Sequence, residues 1–329
     1  MTLSLAIVLL LILAAEFVNG WNDAPNAIAT VISTRVLSPF QALAMAAILN
    51  IVGALVSGSA VAFTVGTEFV KLEAIGLPVV AAAALSIAAW GTIATLYGLP
   101  ISISHGLLAG LTGAAAVTAG TCALLWEGWQ KVIIGLGFST LLGFVLALVV
   151  MTAIYWALRA MPRIRVVHVF GRLQILSAAF MAFSHGGNDG QKFMGVFTLA
   201  LVLGGVLPTF HIPLWVIFLC GTTMGVGTFV GGWRVIRTMG FGLTKLEPLH
   251  GFVAETSAAS AIQIASHFGI PLSTTHTIST AIMGVGATRR LSAVRWGVTG
   301  QIVLTWLLTF PVCGVLGFLF AWVLQPILG

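Results

Sequence analysis

The chain has 329 residues, of which 59% are apolar and only 7% are Asp, Glu, Lys or Arg, against roughly a quarter charged in an ordinary soluble domain. With 38 glycines and a mean hydropathy of +1.11, it reads as an all-α polytopic protein of the lipid bilayer. The ten-residue alternation of an outer-membrane barrel is absent. A net charge of +6 resembles a nucleic-acid signal only until the charges are placed, and no nucleic-acid partner is expected.

In chain order, the first apolar run is TLSLAIVLLLILAAEF (Thr2–Phe17). No basic residue precedes it, so it is read as part of the mature fold and not as a cleaved signal. It breaks into GWNDAPNAIAT (Gly20–Thr30) and then resumes as an apolar segment. Further runs are centred near residues 50, 88, 145, 180, 220, 260 and 310, each about the 20 residues that a bilayer crossing needs. A second polar island, HGGNDGQKFMG, spans His185 to Gly195. Cys122, Cys220 and Cys313 are scattered in apolar context and are read as core residues, with no disulfide or metal framework.

The basic residues divide sharply. Arg35, Arg159, Arg163, Arg165, Arg172 and five further arginines plus Lys245 occupy short loops, while the loops at 66–76 and 126–131 hold only Lys71 and Lys131 beside Glu68, Glu73 and Glu127. Arg-rich short loops belong to the cytoplasm.

Self-comparison shows a duplication. Asn22-Asp23 returns as Asn188-Asp189, 166 residues on, and PISISH (Pro100–His105) returns as PLSTTH (Pro271–His276), 171 residues on. The loops flanking PISISH read as outside and those flanking PLSTTH as inside. Each Pro-Ser segment must then enter and leave on one side, as a re-entrant hairpin, and three segments per half cross. The halves are therefore inverted, as in secondary transporters, with both termini outside. The division expected is 1–158 for the first repeat, 159–172 for a basic cytoplasmic linker and 173–329 for the second repeat. Broken helices are expected at 3–34 and 173–205, and hairpin tips at 99–106 and 270–277.

Pro100 and Pro271 are expected to end the incoming arms. Ser102, Ser104, Ser273, Thr274 and Thr275 then stand where helix N-caps belong. Two helix N-termini with hydroxyl donors make an anion site, suited to a tetrahedral oxyanion. The polar islands carry the opposite chemistry. Asp23 and Asp189 are carboxylates inside apolar segments, which is expensive unless they are paired or hydrated. With the amide oxygens of Asn22, Asn26 and Asn188 they would suit a hard cation, Na⁺ or a proton. Glu255 and, more weakly, Glu16 are further candidates for the pathway. His105 and His276 follow the tips and are read as setting tip geometry.

GWNDAPNAIATVISTR with HGGNDGQK, and PISISH with PLSTTH, resemble the duplicated signatures of the inorganic phosphate transporter (PiT) family, over essentially the whole chain. The resemblance implies a phosphate symporter of the plasma (inner) membrane, with no catalytic residues and no cofactor beyond Na⁺ if sodium is the coupling ion, and a homodimer. Ser102, Ser104, Ser273, Thr274 and Thr275 would contact phosphate together with Asn22 and Asn188. Asp23, Asp189, Asn26, Lys192 and Glu255 would bind or couple the cation, and Na⁺ itself would sit on Asp23 and Asp189. The chain departs from the sodium-coupled pattern at one place. An Asn follows each ND motif by three residues there, whereas here Asn26 is matched by Lys192. That substitution favours protons, unless Lys192 faces the phosphate directly. A sulfate permease of the same family is the alternative cargo, and a passive anion channel the less favoured alternative mechanism.

Overall fold

The computed structural model describes residues 2–328. The first half supplies α1 (Leu3–Ser33), α2 (Pro39–Val56), α3 (Ala60–Thr67), α4 (Leu77–Tyr97), α5 (Ile103–Ala119), α6 (Trp126–Gly137) and α7 (Gly143–Ala157). The second supplies α8 (Arg163–Leu203), α9 (Leu214–Val230), α10 (Trp233–Arg237), α11 (Pro248–His267), α12 (Thr274–Ala287) and α13 (Trp296–Leu328). A π-helical turn, Phe138–Leu142, joins α6 to α7, so Trp126–Ala157 forms one span-length unit. Among the described residues six helical units are long and apolar enough to cross a membrane, and α9 with the segment after it makes a seventh, bent by 65°.

The packing repeats along the chain. α1 packs on α4 and α9, while α8 packs on α11 and α2. α4 lies along α5, and α11 along α12. The closing helices cross over: α13 packs on the α4–α5 pair, and α7 on the α11–α12 pair. Each hairpin is therefore braced by the other half of the chain.

Paired backbone approaches make the correspondence exact to the residue. A Cβ on Gly20 would lie 2.1 Å from the Met224 carbonyl oxygen, and one on Gly227 2.2 Å from that of Phe17. In the other half, a Cβ on Gly186 would lie 2.2 Å from the Asn50 carbonyl oxygen, and one on Gly53 2.1 Å from that of Phe183. Phe17 and Gly20 map onto Phe183 and Gly186 by the same shift of 166 residues that relates the ND motifs. Small residues that let helix backbones touch are the main packing device inside a bilayer.

Four expectations are corrected. First, the ND segments do not break their helices. α1 runs unbroken through Pro25, and α8 through four glycines between Gly186 and Gly195. Asn22, Asp23, Asn26, Asn188 and Asp189 are buried against other helices and find side-chain partners there, so the helix need not open to satisfy them. Second, the linker is itself helical from Arg163 onward, as the first turns of α8. Third, the arms end before their prolines. α4 stops at Tyr97 with Gly98 at φ 74°, and the turn after α11 contains Gly269 at φ 68°. Both values lie in the left-handed region where glycine is at no disadvantage. Fourth, Cys122 is exposed, in the turn Thr121–Ala123 between α5 and α6, whereas Cys220 and Cys313 are buried.

On helix propensity alone Gly→Ala would gain about 1 kcal/mol. At Gly20 or Gly186 the new methyl meets backbone instead, and the expected net effect is a loss of about 1–3 kcal/mol. Melting of each purified variant in detergent checks this, and a raised midpoint would mean that these helices do not touch.

Candidate functional site

Both tips have the same local construction. The Ser102 side chain caps α5 by accepting the His105 N–H at 3.3 Å, and Ser273 caps α12 by accepting the His276 N–H at 3.3 Å. Their role is therefore to build the two helix N-termini. The Asn of each ND motif ties down the arm that leads to its own tip. Asn22 Nδ2 donates to Thr95 Oγ1 at 2.8 Å and to the Leu99 carbonyl at 3.4 Å. Asn188 Nδ2 donates to Ser266 Oγ at 2.7 Å. Thr95 and Ser266 are 171 residues apart, the same shift as the tips.

A second pair of contacts reaches across to the opposite tip. Asn26 Nδ2 donates to Thr275 Oγ1 at 3.0 Å and to Thr274 Oγ1 at 3.3 Å. Its mate Lys192 donates from Nζ to Ser104 Oγ at 2.6 Å. Lys192 also donates to Asp189 and, at 2.6 Å, to the Leu272 carbonyl. An ammonium has three hydrogens, and all three are used. Thr274 Oγ1 donates to Asp189 Oδ2 at 2.9 Å, and Thr275 Oγ1 to Asp23 Oδ1 at 3.2 Å.

These bonds join Ser104, Lys192, Asp189, Thr274, Asn26, Thr275 and Asp23 into one continuous chain. No member is more than 4% exposed. Asp23, Asp189 and His185 bring a ligand atom each to within 4.8 Å of one another, and His185 Nε2 lies 3.3 Å from Asp189 Oδ2. The Oδ1 atoms of Asn22, Asn26 and Asn188 are buried without a hydrogen-bond partner. Unpaired amide oxygens beside carboxylates form a donor set of the right chemistry for a hard monovalent cation such as Na⁺.

Two sequence candidates stand apart from this chain. Glu255 accepts from Thr30 and Ser177, and from Gln174 Nε2 at 3.2 Å, tying α11 to α1 and α8. Glu16 accepts from its neighbour Asn19 at 3.0 Å.

Several contributors escaped the sequence reading. Thr95 and Ser266 lie in apolar arms, yet comparing the arms at the 171-residue shift would have found them. Trp306 on α13 donates its indole N–H to the Pro100 carbonyl at 3.0 Å and lays its ring 3.9 Å, centroid to centroid, from His276. His276 meets His105 at 5.1 Å, and His105 stacks on Phe310 at 5.0 Å. One helix thus touches both tips, and an isolated Trp in an apolar run gives no sign of that.

Long apolar helices enclosing a polar centre, reached by two facing hairpins from interlocked halves, define a membrane carrier. The family model described as "Phosphate transporter family" matches the chain twice, over residues 19–165 and 159–317. A probable low-affinity inorganic phosphate transporter of Rhizobium meliloti (strain 1021) is 41% identical over 302 residues, covering 92% of this chain and 90% of that one. Its counterpart in Bacillus subtilis (strain 168) is 38% identical over 318 residues, covering 96% and 95%. The solved structure described as the sodium-dependent phosphate transporter superposes with a TM-score of 0.91 at 26% identity, covering 99% of this chain and all of that one. The chain belongs to the phosphate transporter family and is a transporter, not an enzyme.

Removing the buried Asn188–Ser266 bond by Asn188→Ala leaves a hydroxyl without its donor, which costs about 1–3 kcal/mol. A correspondingly lower melting midpoint is expected. Asn188→Asp should be at least as damaging, because it would bury a carboxylate with no cation to balance it. Wild-type melting of both variants would show that the arm is held by other means.

Proposed function

We propose that this carrier is a symporter that moves inorganic phosphate, held between the tips at 99–106 and 270–277, together with a cation, with a proton favoured over Na⁺. The observation that carries this reading is the position of Lys192. Its ammonium joins the second ND motif to the first tip through Ser104 and to the second through the Leu272 carbonyl. In this reading the anion site and the cation site are parts of one bonded unit, which is what coupling requires.

The charge count supports coupling to a cation. The chain of bonds holds two carboxylates, Asp23 and Asp189, against one ammonium. Counted against each other, these three leave one negative charge over in a buried site, where an uncompensated charge is costly. An incoming phosphate adds to that deficit, so at least one cation must enter with it. A proton on Asp23, or Na⁺ held by Asp23 and the unpaired amide oxygens, would meet the requirement. Lys192 already serves Asp189, the acid of the second half. That favours a smaller cation demand than two equivalent ND sites would have. The arginine distribution supports both termini outside and the 159–172 segment in the cytoplasm.

Reconstituted uptake of radiolabelled phosphate, first under an imposed proton gradient and then under a sodium gradient, tests the coupling. Wild-type uptake should follow the proton gradient. Lys192→Asn, which restores the amide present at position 26, should shift dependence toward sodium. Asp23→Asn removes the unbalanced charge, so phosphate exchange should persist while gradient-driven accumulation is lost. Uptake by the wild type that ignores both gradients would leave a passive channel and sink the symport reading. A Ser104→Ala and Ser273→Ala pair should reduce uptake roughly tenfold or more, at about 1–2 kcal/mol per lost donor or cap. Excess sulfate in the same assay reports the cargo, and competition on a par with unlabelled phosphate would count against phosphate as the preferred anion.

A further inference from the structure

At the end of the molecule remote from the tips, the start of α8, the start of α11 and the end of α12 enclose two adjoining clefts. One, of about 440 Å³, is lined by Tyr155, Arg159, Arg163, Glu247, His250 and Arg289 together with an apolar wall that includes Leu158, Met161 and Val166. The other, of about 330 Å³, shares His250 and Arg289 and adds Thr244, Lys245, Arg290, Ser292 and Arg295. Six basic side chains thus face the joined space, against one carboxylate.

That carboxylate is already committed. Glu247 Oε1 accepts from Arg163 at 2.8 Å and from Arg289 at 2.9 Å. Its partial burial would raise its pKa, but the hydrogen bond and charge of Arg289, with the charge of Arg163, outweigh this and hold it below the ordinary carboxylate value. The ion pair fixes Arg163 and Arg289 in place and leaves a surplus of positive charge. The remaining four cations have no acidic partner among the described residues.

Topogenic arginines need only lie in cytoplasmic loops. Nothing in that rule makes the loop after α7, the loop before α11 and the loop after α12 converge on one concavity, as they do here. The first cleft also joins basic groups to an apolar wall, the profile of a phospholipid headgroup beside its acyl chains. Basic pockets of this kind at a cytoplasmic membrane face suit anionic headgroups.

We propose that this cleft binds a phosphate-bearing anion, the headgroup of an anionic phospholipid in the cytoplasmic leaflet being its occupant. The consequence follows from the position of the cleft on the second hairpin. Glu247 N-caps α11, and Gly286, at the end of α12, lines the second cleft. α12 begins at Thr274, which is bonded to Asp189, and spans about 20 Å at 1.5 Å per residue. An occupant therefore holds both arms of the hairpin at the end opposite the tip, and it sets how freely that hairpin moves.

Arg159 and Arg290 make no ion pair and lie outside the transport chain, so Arg159→Gln with Arg290→Gln is the variant of choice. Melting in detergent is followed while phosphatidylglycerol, phosphatidylcholine or inorganic phosphate is added. Phosphatidylglycerol should stabilise the wild type where phosphatidylcholine does not. The double variant should need roughly thirtyfold more of it, since each surface arginine contributes about fivefold to such binding. Phosphate uptake by the variant in pure phosphatidylcholine vesicles should match the wild type, which separates this cleft from the central site. If phosphatidylglycerol has no effect but part of the stabilisation by inorganic phosphate is lost in the variant, the same chemistry holds with free phosphate as the occupant. Responses to both additives that are unchanged by the substitutions overturn the proposal. Should the double variant fail to fold, native mass spectrometry of the wild type carries the test. Preferential retention of phosphatidylglycerol over phosphatidylcholine supports the site, and equal retention with no phosphate adduct removes it.

Discussion

An ammonium buried at 1% exposure in an apolar protein has to spend every hydrogen, because each one left unbonded costs several kcal/mol in such surroundings. Lys192 spends one on Asp189 in its own helix, one on Ser104 of the first hairpin and one on the Leu272 carbonyl of the second. Three elements far apart in sequence are thereby held in a single arrangement. The tips cannot separate, and α8 cannot slide, without stripping a partner from that charge. Ser104 would otherwise be a hydroxyl on a helix N-terminus with freedom to rotate; bonded to Lys192, it has a fixed direction.

The same demand explains how the two halves interlock. Each ND motif makes one contact within its half and one beyond it. Asn22 and Asn188 hold Thr95 and Ser266 at the ends of their own arms. One turn further on, Asn26 and Lys192 cross to Thr275 and Ser104 of the opposite tips. Thr275 and Ser104 are related by the 171-residue shift, so the crossing is reciprocal. Reciprocal contacts of this kind, together with closing helices that brace the other half's hairpin, tie each half to the other at two corresponding places. α13 then couples the tips, since Trp306 bonds to one tip and stacks on the other.

What the sequence disclosed, and what it withheld, follows from the range of the interactions. The apolar runs centred near 88 and 260 were legible because length and apolar composition are local signals, and α4 and α11 lie over those centres. The duplicated ND and Pro-Ser motifs led to seven side chains that turn out to be bonded in one chain. The continuity of α1 and α8 was not legible. Asn, Asp, Pro and clustered Gly all lower helix propensity, and the compensation comes from Thr95, Ser266 and the tips, more than seventy residues away. Tertiary partners outweigh propensity here. Glu255 was flagged as an acid in an apolar arm, but its three donors come from α1 and α8 and could not be guessed from its neighbours.

The asymmetry between Asn26 and Lys192 carries the most consequence, because it falls where corresponding positions of the two halves reach the opposite tips. An amide and an ammonium bond corresponding hydroxyls, Thr275 and Ser104, and the ammonium adds a charge and bonds to Asp189 and the Leu272 carbonyl. On the amide side, Asp23 meets a hydroxyl and leaves Asn26 Oδ1 unpaired. On the ammonium side, Asp189 is neutralised by a cation that cannot leave. Lys192 balances Asp189 from within the chain, and Asp23 has no basic partner among the described residues. The net charge of the bonded chain is thus set in part at position 192, where a single substitution would change it by one unit.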